Sequence, residues 1–350
     1  MLYCAHMRSF LLATAVAAAT VVQASAQDIR YAAELNHVPV ECRSVAMGNT
    51  GVVLPRNGTG AYWNPSLPAF LEKYEITVEG AKLFGSLADL GVLSAAAPIQ
   101  NGINLGALYT GFFSGDILQQ DSLEGTPLER LYNPQLRANG EDATGVFHNN
   151  QHRIQLFIAR LFNVPIPRPA GYSLPLPIDI GAGLNFKYYW QTLTPADDVR
   201  MGFNMNLDFG AALSIGADTD IKTQEITRRI LIGIALRDFL PTKVMWLHSP
   251  TEYQEPVHGT QSFGVSYTDR TGLLKGNWTV AIALNRSYES TVHVGLEGEF
   301  WNLIAFRAGL ANRIPSLGAG ISTDFFRVDY AFTFDELAFT PLRLAIGVRF

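Results

Sequence analysis

Beyond residue 30 the chain holds six histidines, His37, His148, His152, His248, His258 and His293, and one cysteine, Cys42. His148 and His152 have an H-x-x-x-H spacing, which on a helix would aim two imidazoles at one zinc ion. They lie instead where a loop runs into an alternating stretch, QHRIQLFIAR, and that backbone presents no shared helical face. Nucleophilic hydrolysis needs a serine or cysteine with a histidine base beside it. No Gly-x-Ser-x-Gly, Walker or His-Glu-x-x-His pattern occurs. Cys4 belongs to the leader described below, so Cys42 has no disulfide partner, and an unpartnered cysteine reads as inert. His293 stands alone on the polar face of VHVGLEGEF and reads as a wall residue. The expectation is a non-enzyme that needs neither metal nor cofactor.

Charge carries a different signal. The formal net charge is -5 and only 16% of residues are charged; no basic block occurs, which argues against a nucleic-acid partner. Asp179, Lys187, Asp208, Arg237, Glu297, Arg307, Arg327 and Asp329 fall on the polar faces of alternating segments. Those faces are otherwise rich in glycine and sparse in charge, unlike the Lys- and Glu-rich outer face of a water-soluble sandwich. An isolated charge in a closed space is costly, and opposite charges around the wall offset that cost. The mixed-sign set therefore predicts ion pairing across a lumen.

The elements that must position these charges are strands. In WTVAIALN, Trp278, Val280, Ile282 and Leu284 share one face, opposite Thr279, Ala281, Ala283 and Asn285. IDIGAGLNFKYY sets Ile178, Ile180, Ala182, Leu184, Phe186 and Tyr188 against Asp179, Gly181, Gly183, Asn185, Lys187 and Tyr189. Alternating segments of about ten residues are the signature of a transmembrane barrel. Fourteen occur, over 74–83, 88–98, 102–113, 150–162, 177–190, 203–216, 229–239, 260–269, 277–286, 291–300, 303–311, 316–323, 325–334 and 341–350. An even count puts both barrel ends on the periplasmic side. The two longest connections, after the third and seventh segments, then both face outward, as long loops in such barrels do. The fold class is thus all-β: a 14-stranded antiparallel transmembrane barrel occupying residues 74–350. Its final segment, PLRLAIGVRF, must close the ring, and its terminal Phe350 is expected to be the insertion signal read by the barrel assembly machinery.

Two further regions precede the barrel. Arg8, the apolar run FLLATAVAAATVV and Ala24-Ser25-Ala26 describe a cleaved secretory signal over residues 1–26, with Met1 and Met7 both available as initiator. The run is shorter than the about 20 residues that a spanning helix needs. Residues 27–73 do not alternate. They are dense in Gly, Asn and Pro, with Gly48 and Gly51 suited to tight turns and Pro65 to a fixed bend. The aromatic residues Tyr62, Trp63 and Phe70 argue against disorder. A 14-strand interior is too wide for wall side chains to fill, so this region is expected to be a plug in the lumen.

The stretch from Arg43 to Phe70, an AMG/N-x-G-V/AYWNP pattern, resembles the N-terminal hatch of the long-chain fatty acid transporter (FadL-like, OmpP1) superfamily, and within it the PorV/PorQ-like group. LDFGAALSI, RRILIGIALRDFLP, VHVGLEGEFWNLIAFRAGL and the LRLAIGVRF ending add to the resemblance. It implies a hatch-plugged barrel in the bacterial outer membrane, in contact with outer-membrane lipid and passively transporting hydrophobic small molecules such as long-chain fatty acids. Gly48, Gly51, Trp63, Asn64 and Pro65 are the expected hatch and gating residues. The superfamily motif is Asn-Pro-Ala, and Ser66 stands here in place of its Ala. Phe113, Ile117, Leu118, Leu123 and Tyr132, in or beside the long third connection, are candidates for ligand capture. The alternative that the resemblance implies is a component of the type IX secretion system, whose partners would be secreted cargo proteins.

Overall fold

The computed structural model describes residues 33–54, 57–119, 123–137, 143–164, 177–194, 199–219, 226–247, 254–270, 276–334 and 340–350. The expected signal, residues 1–26, lies outside them. Among the described residues there are seventeen strands: β1 (Glu75–Leu83), β2 (Ala88–Pro98), β3 (Ile103–Ser114), β4 (Ile117–Gln119), β5 (Gly145–Asn163), β6 (Ile178–Thr194), β7 (Arg200–Thr219), β8 (Ile226–Arg237), β9 (Lys243–Leu247), β10 (Gln254–Pro256), β11 (Thr260–Asp269), β12 (Gly276–Arg286), β13 (Ser290–Phe300), β14 (Ile304–Ala311), β15 (Ile314–Ser322), β16 (Phe326–Thr333) and β17 (Thr340–Arg349). Fourteen of them close an antiparallel ring; β4, β9 and β10 stand on its loops. Closure runs from Glu75↔Arg349 to Lys82↔Leu342 between β1 and β17. Tyr74 and Phe350 extend it by exchanging backbone hydrogen bonds of 3.1 and 3.0 Å, and their rings stack at 5.8 Å.

Alternation in sequence becomes alternation across the wall, with the sense opposite to that of a soluble protein. In β1, Glu75, Thr77 and Glu79 are each 2% exposed, whereas Ile76 and Val78 are 45% and 55% exposed. Polar residues inward and apolar residues outward are favourable only where the surroundings are hydrocarbon. Aromatic clusters mark both ends of the outer wall. Trp278, Phe300 and Phe306 lie at the end that carries Phe350. Tyr109, His152, Trp190 and Tyr188 stack toward the other end, with the Tyr109 hydroxyl 2.8 Å from His152 Nδ1. His152 thus belongs to an outward aromatic stack.

Both long connections emerge at the end opposite Phe350, but they contain more structure than alternation predicts. β5 begins at Gly145, five residues before the expected segment, and its extension pairs with β4. The same loop holds a short helix, Pro127–Tyr132, closed by a reciprocal Thr126–Glu129 capping box. In the second long loop, β9 folds back on Met201–Phe203 of β7. Beyond the apolar belt no hydrocarbon demands alternation, so these extensions leave little hydropathy signal.

Residues 33–54 and 57–71 lie within the ring. They form the helix Cys42–Ala46 and the 3₁₀ turns Glu34–Asn36, Gly51–Val53, Gly58–Tyr62 and Leu67–Phe70, and they are almost all buried. Wall strands on every side of the ring meet them.

Candidate functional site

Close approach between this internal segment and the wall depends on inward glycines. A Cβ on Gly183 of β6 would lie 2.0 Å from the Pro65 carbonyl oxygen. On Gly210 of β7 it would lie 2.1 Å from Asn64 Oδ1, on Gly233 of β8 2.4 Å from the Val52 carbonyl oxygen, and on Gly309 of β14 2.0 Å from the Gly48 nitrogen. Most of these neighbours are backbone atoms, which no rotamer change can move. The glycine-rich polar face seen in the sequence is therefore a seat for a second layer of chain. Gly48 itself has φ of 66°, a left-handed turn that glycine adopts at no steric cost. Gly51 lies under the Trp63 indole, where a Cβ would fall 2.2 Å from the ring.

Asn64 ties the segment to the wall. Its Nδ2 donates to the carbonyls of Val52 (3.1 Å) and Ala211 (3.3 Å), and its Oδ1 accepts from Ser66 N (3.0 Å) and Ser66 Oγ (2.7 Å). The Ser66 hydroxyl supplies one of these bonds. Asn64 is fully buried, so Asn64→Ala strands several polar groups, at roughly 1–3 kcal/mol. Hydrogen exchange at the Val53 and Ser66 amides is expected to speed up while strand amides keep their protection; uniform loss of protection would show that Asn64 supports the barrel rather than the segment.

All the predicted charges but Asp179 fall into two buried groups. In the first, Lys187 Nζ reaches Asp208 (2.7 Å) and Asp238 (2.5 Å), and Asn36 donates to Asp238 at 3.4 Å. Arg237 and Arg153 both stand over the Tyr62 ring, 4.8 Å from its centroid, in cation–π contact. Arg153 also donates to the Leu35 carbonyl at 3.1 Å. The second group is a chain of alternating sign. Arg43 of the segment binds Glu297 through Nε (2.8 Å) and Nη2 (2.6 Å). Glu297 accepts from Arg307 at 2.6 Å, Arg307 Nη1 lies 2.8 Å from Asp329, Arg327 lies 2.9 Å from Asp329, and Arg327 reaches Glu75 at 3.2 Å. The Arg307–Asp329 contact is close but off the hydrogen-bonding axis, so it is electrostatic in character. Arg343 and Glu79, 2.7 Å apart, add a further pair that holds the Cys42 amide and the Pro39 carbonyl. Asp179 sits apart, accepting from Asn163 at 2.7 Å.

His37, Tyr288 and His258 meet with tilted rings where the segment reaches the long-loop end, with centroid separations of 5.4 and 4.5 Å. Burial, then Arg237, Lys187, His258 and Arg153, hold His37 down to about 4 from an ordinary 6.5. A base with a depressed folded value contributes stability above about 6.5 that is lost as pH falls through about 4. Between these values the amides near Val38 are expected to lose exchange protection, and His37→Gln should flatten that pH dependence. Burial raises the Cys42 thiol well above its ordinary range, so it stays protonated and unreactive.

Sequence reasoning missed several interior residues. Arg43, Glu75, Glu79, Arg153, Asp238 and Arg343 belong to the buried networks; His293, read from the sequence as a wall residue, has its Nδ1 2.9 Å from the Gly48 carbonyl oxygen. Glu75 and Glu79 were legible by parity, since both alternate with Ile76 and Val78. The candidate capture residues are spread out. Phe113 packs edge-on against His152 on the outer wall, Ile117 and Leu118 lie on β4, Leu123 is on the loop, and Tyr132 is 79% exposed at the end of its helix.

No protein-family model matches the sequence, and no curated protein matches it. Among solved structures, the chain is similar over 89% of its length to the Ralstonia pickettii toluene transporter TbuX, covering 97% of that chain at 11% identity with a TM-score of 0.49. A deletion mutant of the TodX monoaromatic hydrocarbon channel gives 11% identity, 89% and 97% coverage and a TM-score of 0.49. A Pseudomonas aeruginosa FadL homologue gives 10%, 89% and 97%, and 0.47. Likeness at this level leaves the chemistry of the interior to be read from its own residues.

Proposed function

We propose that the protein is a bacterial outer-membrane barrel of the PorV/PorQ-like group that passes hydrophobic solutes, long-chain fatty acids among them, passively through its lumen, with residues 27–73 as the hatch. One observation carries the reading: an apolar outer belt encloses a polar, glycine-lined interior that a separate stretch of the same chain fills. That stretch is held by hydrogen bonds and ion pairs that can be exchanged for water, so it can shift without breaking the strand ladder. Asn64 and Pro65 set its closed position, and Gly48 and Gly51 allow its tight contacts with the wall and Trp63. The export signal expected at residues 1–26 accords with this location. In a Gram-negative host lacking its own long-chain fatty acid transporter, expression should raise oleate uptake above that of an empty vector. Unchanged uptake with folded protein present in the outer membrane would sink the reading.

A second reading draws on the long loop. Leu128, Leu131 and Tyr132 are 64%, 60% and 79% exposed at the end opposite Phe350, an apolar patch that suits docking of exported cargo in type IX secretion. It requires exported proteins to co-purify with the barrel and to be released by Leu131→Asp and Tyr132→Asp, with oleate uptake unaffected.

A further inference from the structure

At the end opposite Phe350, the second long loop turns back over the mouth of the ring. Its β9 strand adds to the β7 edge through three register pairs, Met201↔Leu247 to Phe203↔Met245, and β10 pairs with β9. Two inward asparagines of β7 hold the chain leading into it. Asn204 Nδ2 donates to the Lys243 carbonyl at 2.9 Å, and Asn206 Nδ2 donates to Thr242 Oγ1 at 2.8 Å. The hairpin has two unlike faces. Met245 and Leu247 are half exposed, whereas Val244, and Val257 just after β10, are buried. Val244 and Trp246 lie against the inner face of β7, where a Cβ on Gly202 would come within 2.9 and 3.1 Å of them. Val244 and Val257 share one apolar cluster with Leu35 and Val40 of the internal segment and with Leu83 and Leu108 of β1 and β3. The hairpin therefore reaches inward and covers the segment.

Both ends of this loop meet at one place. Asp238, where the chain leaves β8, has φ of 51°, in the left-handed region that a non-glycine residue keeps only when its surroundings fix it. Its amide donates to Asp208 Oδ1 at 2.7 Å, and its carboxylate takes Lys187 of β6 and Asn36 of the internal segment. At the return into β11, a Cβ on Gly259 would fall 2.8 Å from the Asp238 carbonyl oxygen. We propose that the β9–β10 hairpin is a lid, latched to the internal segment through Val244, Val257 and Asp238, that lifts about Asp238 and Gly259 before the segment moves. A solute arriving at this end meets the lid first. Lifting exchanges a short ladder and two asparagine contacts for water and leaves the β7–β8 and β8–β11 ladders whole, which makes it a local opening. With the segment removed, Val244 and Val257 lose the surface they cover, so the lid has little to hold it down. The proposal rests on the reading of residues 27–73 as a movable hatch and adds an order of events to it.

The test locks the lid with a disulfide between Phe203→Cys and Met245→Cys, which are register partners on β7 and β9; antiparallel partners stand within disulfide range. Full-length protein in lipid nanodiscs is compared oxidised and reduced, with each single variant as a control. Oxidation is expected to slow hydrogen exchange at the bonded amides of Leu35 and Val38 and to leave wall-strand amides unchanged. In cells it should abolish oleate uptake, and reduction should restore it. Val244→Ala removes two buried carbon groups and should speed exchange at Leu35 and Val38 about tenfold. Equal exchange at these amides in the oxidised and reduced lock, or no effect of Val244→Ala on them, overturns the lid. Oleate uptake by the oxidised lock at the reduced rate also overturns it, because solute would then pass a closed lid. The two readings fail separately. Lock-dependent exchange in a protein that takes up no oleate in either state supports the lid and sinks transport. Oleate uptake with exchange indifferent to the lock sinks the lid and leaves transport standing.

Discussion

Deleting residues 27–73 is expected to turn a filled barrel into one that conducts in discrete single-channel steps across a planar bilayer. Barrel diameter grows with strand number. Eight strands leave room only for side chains or one small ligand, whereas sixteen to eighteen leave a water channel. A ring of fourteen emptied of its internal segment falls near the second case, and its wall is wettable. Glu75, Glu79, Arg153, Lys187, Asp208 and Arg307 all face inward and are almost wholly buried by the segment. The strands should survive, because each is paired on both sides without help from the segment. Gly309→Val is expected to act in the same direction by sterics alone. Valine suits a strand, but its Cβ would stand 2.0 Å from the Gly48 nitrogen, so the segment must shift while the ring stays. Unchanged conductance in a heat-modifiable, folded deletion protein would show that residues 27–73 do not seal the lumen.

Arg307→Met is expected to lower the unfolding free energy by about 3–5 kcal/mol, the cost of removing one partner from a buried ion pair. Arg307 stands between Glu297 and Asp329, with its side chain 1% exposed. Without it two buried carboxylates keep one cation each, Arg43 for Glu297 and Arg327 for Asp329, which places the expected loss toward the lower end. Arg307→Lys keeps the charge but not the planar fork and should lose less. Lys82→Met supplies the comparison. Lys82 and Asp89 are 2.6 Å apart but 47% and 54% exposed, and such pairs contribute about 0–1 kcal/mol. Urea midpoints of the folded barrels in detergent decide the matter. If Arg307→Met falls no further than Lys82→Met, the alternating charge chain contributes nothing to stability and its role lies elsewhere.

The sequence by itself determined the ring. Every wall residue must face either hydrocarbon or lumen, so period-two hydropathy has only one solution per segment, and Ile178 through Tyr189 display it residue by residue. All fourteen wall strands were legible on that ground. Strand length was not: β4, β9 and the outer ends of β5 and β7 pass beyond the hydrocarbon, where nothing imposes alternation. Only the tertiary structure decided which charges meet. Arg43 and Glu297 are 254 positions apart, and Glu79 and Arg343 are 264 apart. The first pair follows from where the internal segment sits and the second from ring closure between β1 and β17, and the segment sits where wall glycines leave room. A glycine on a polar face has no hydropathy to betray its use; its function is the space of a missing Cβ, and that space acquires meaning only when Pro65, Val52 or Gly48 is brought against it.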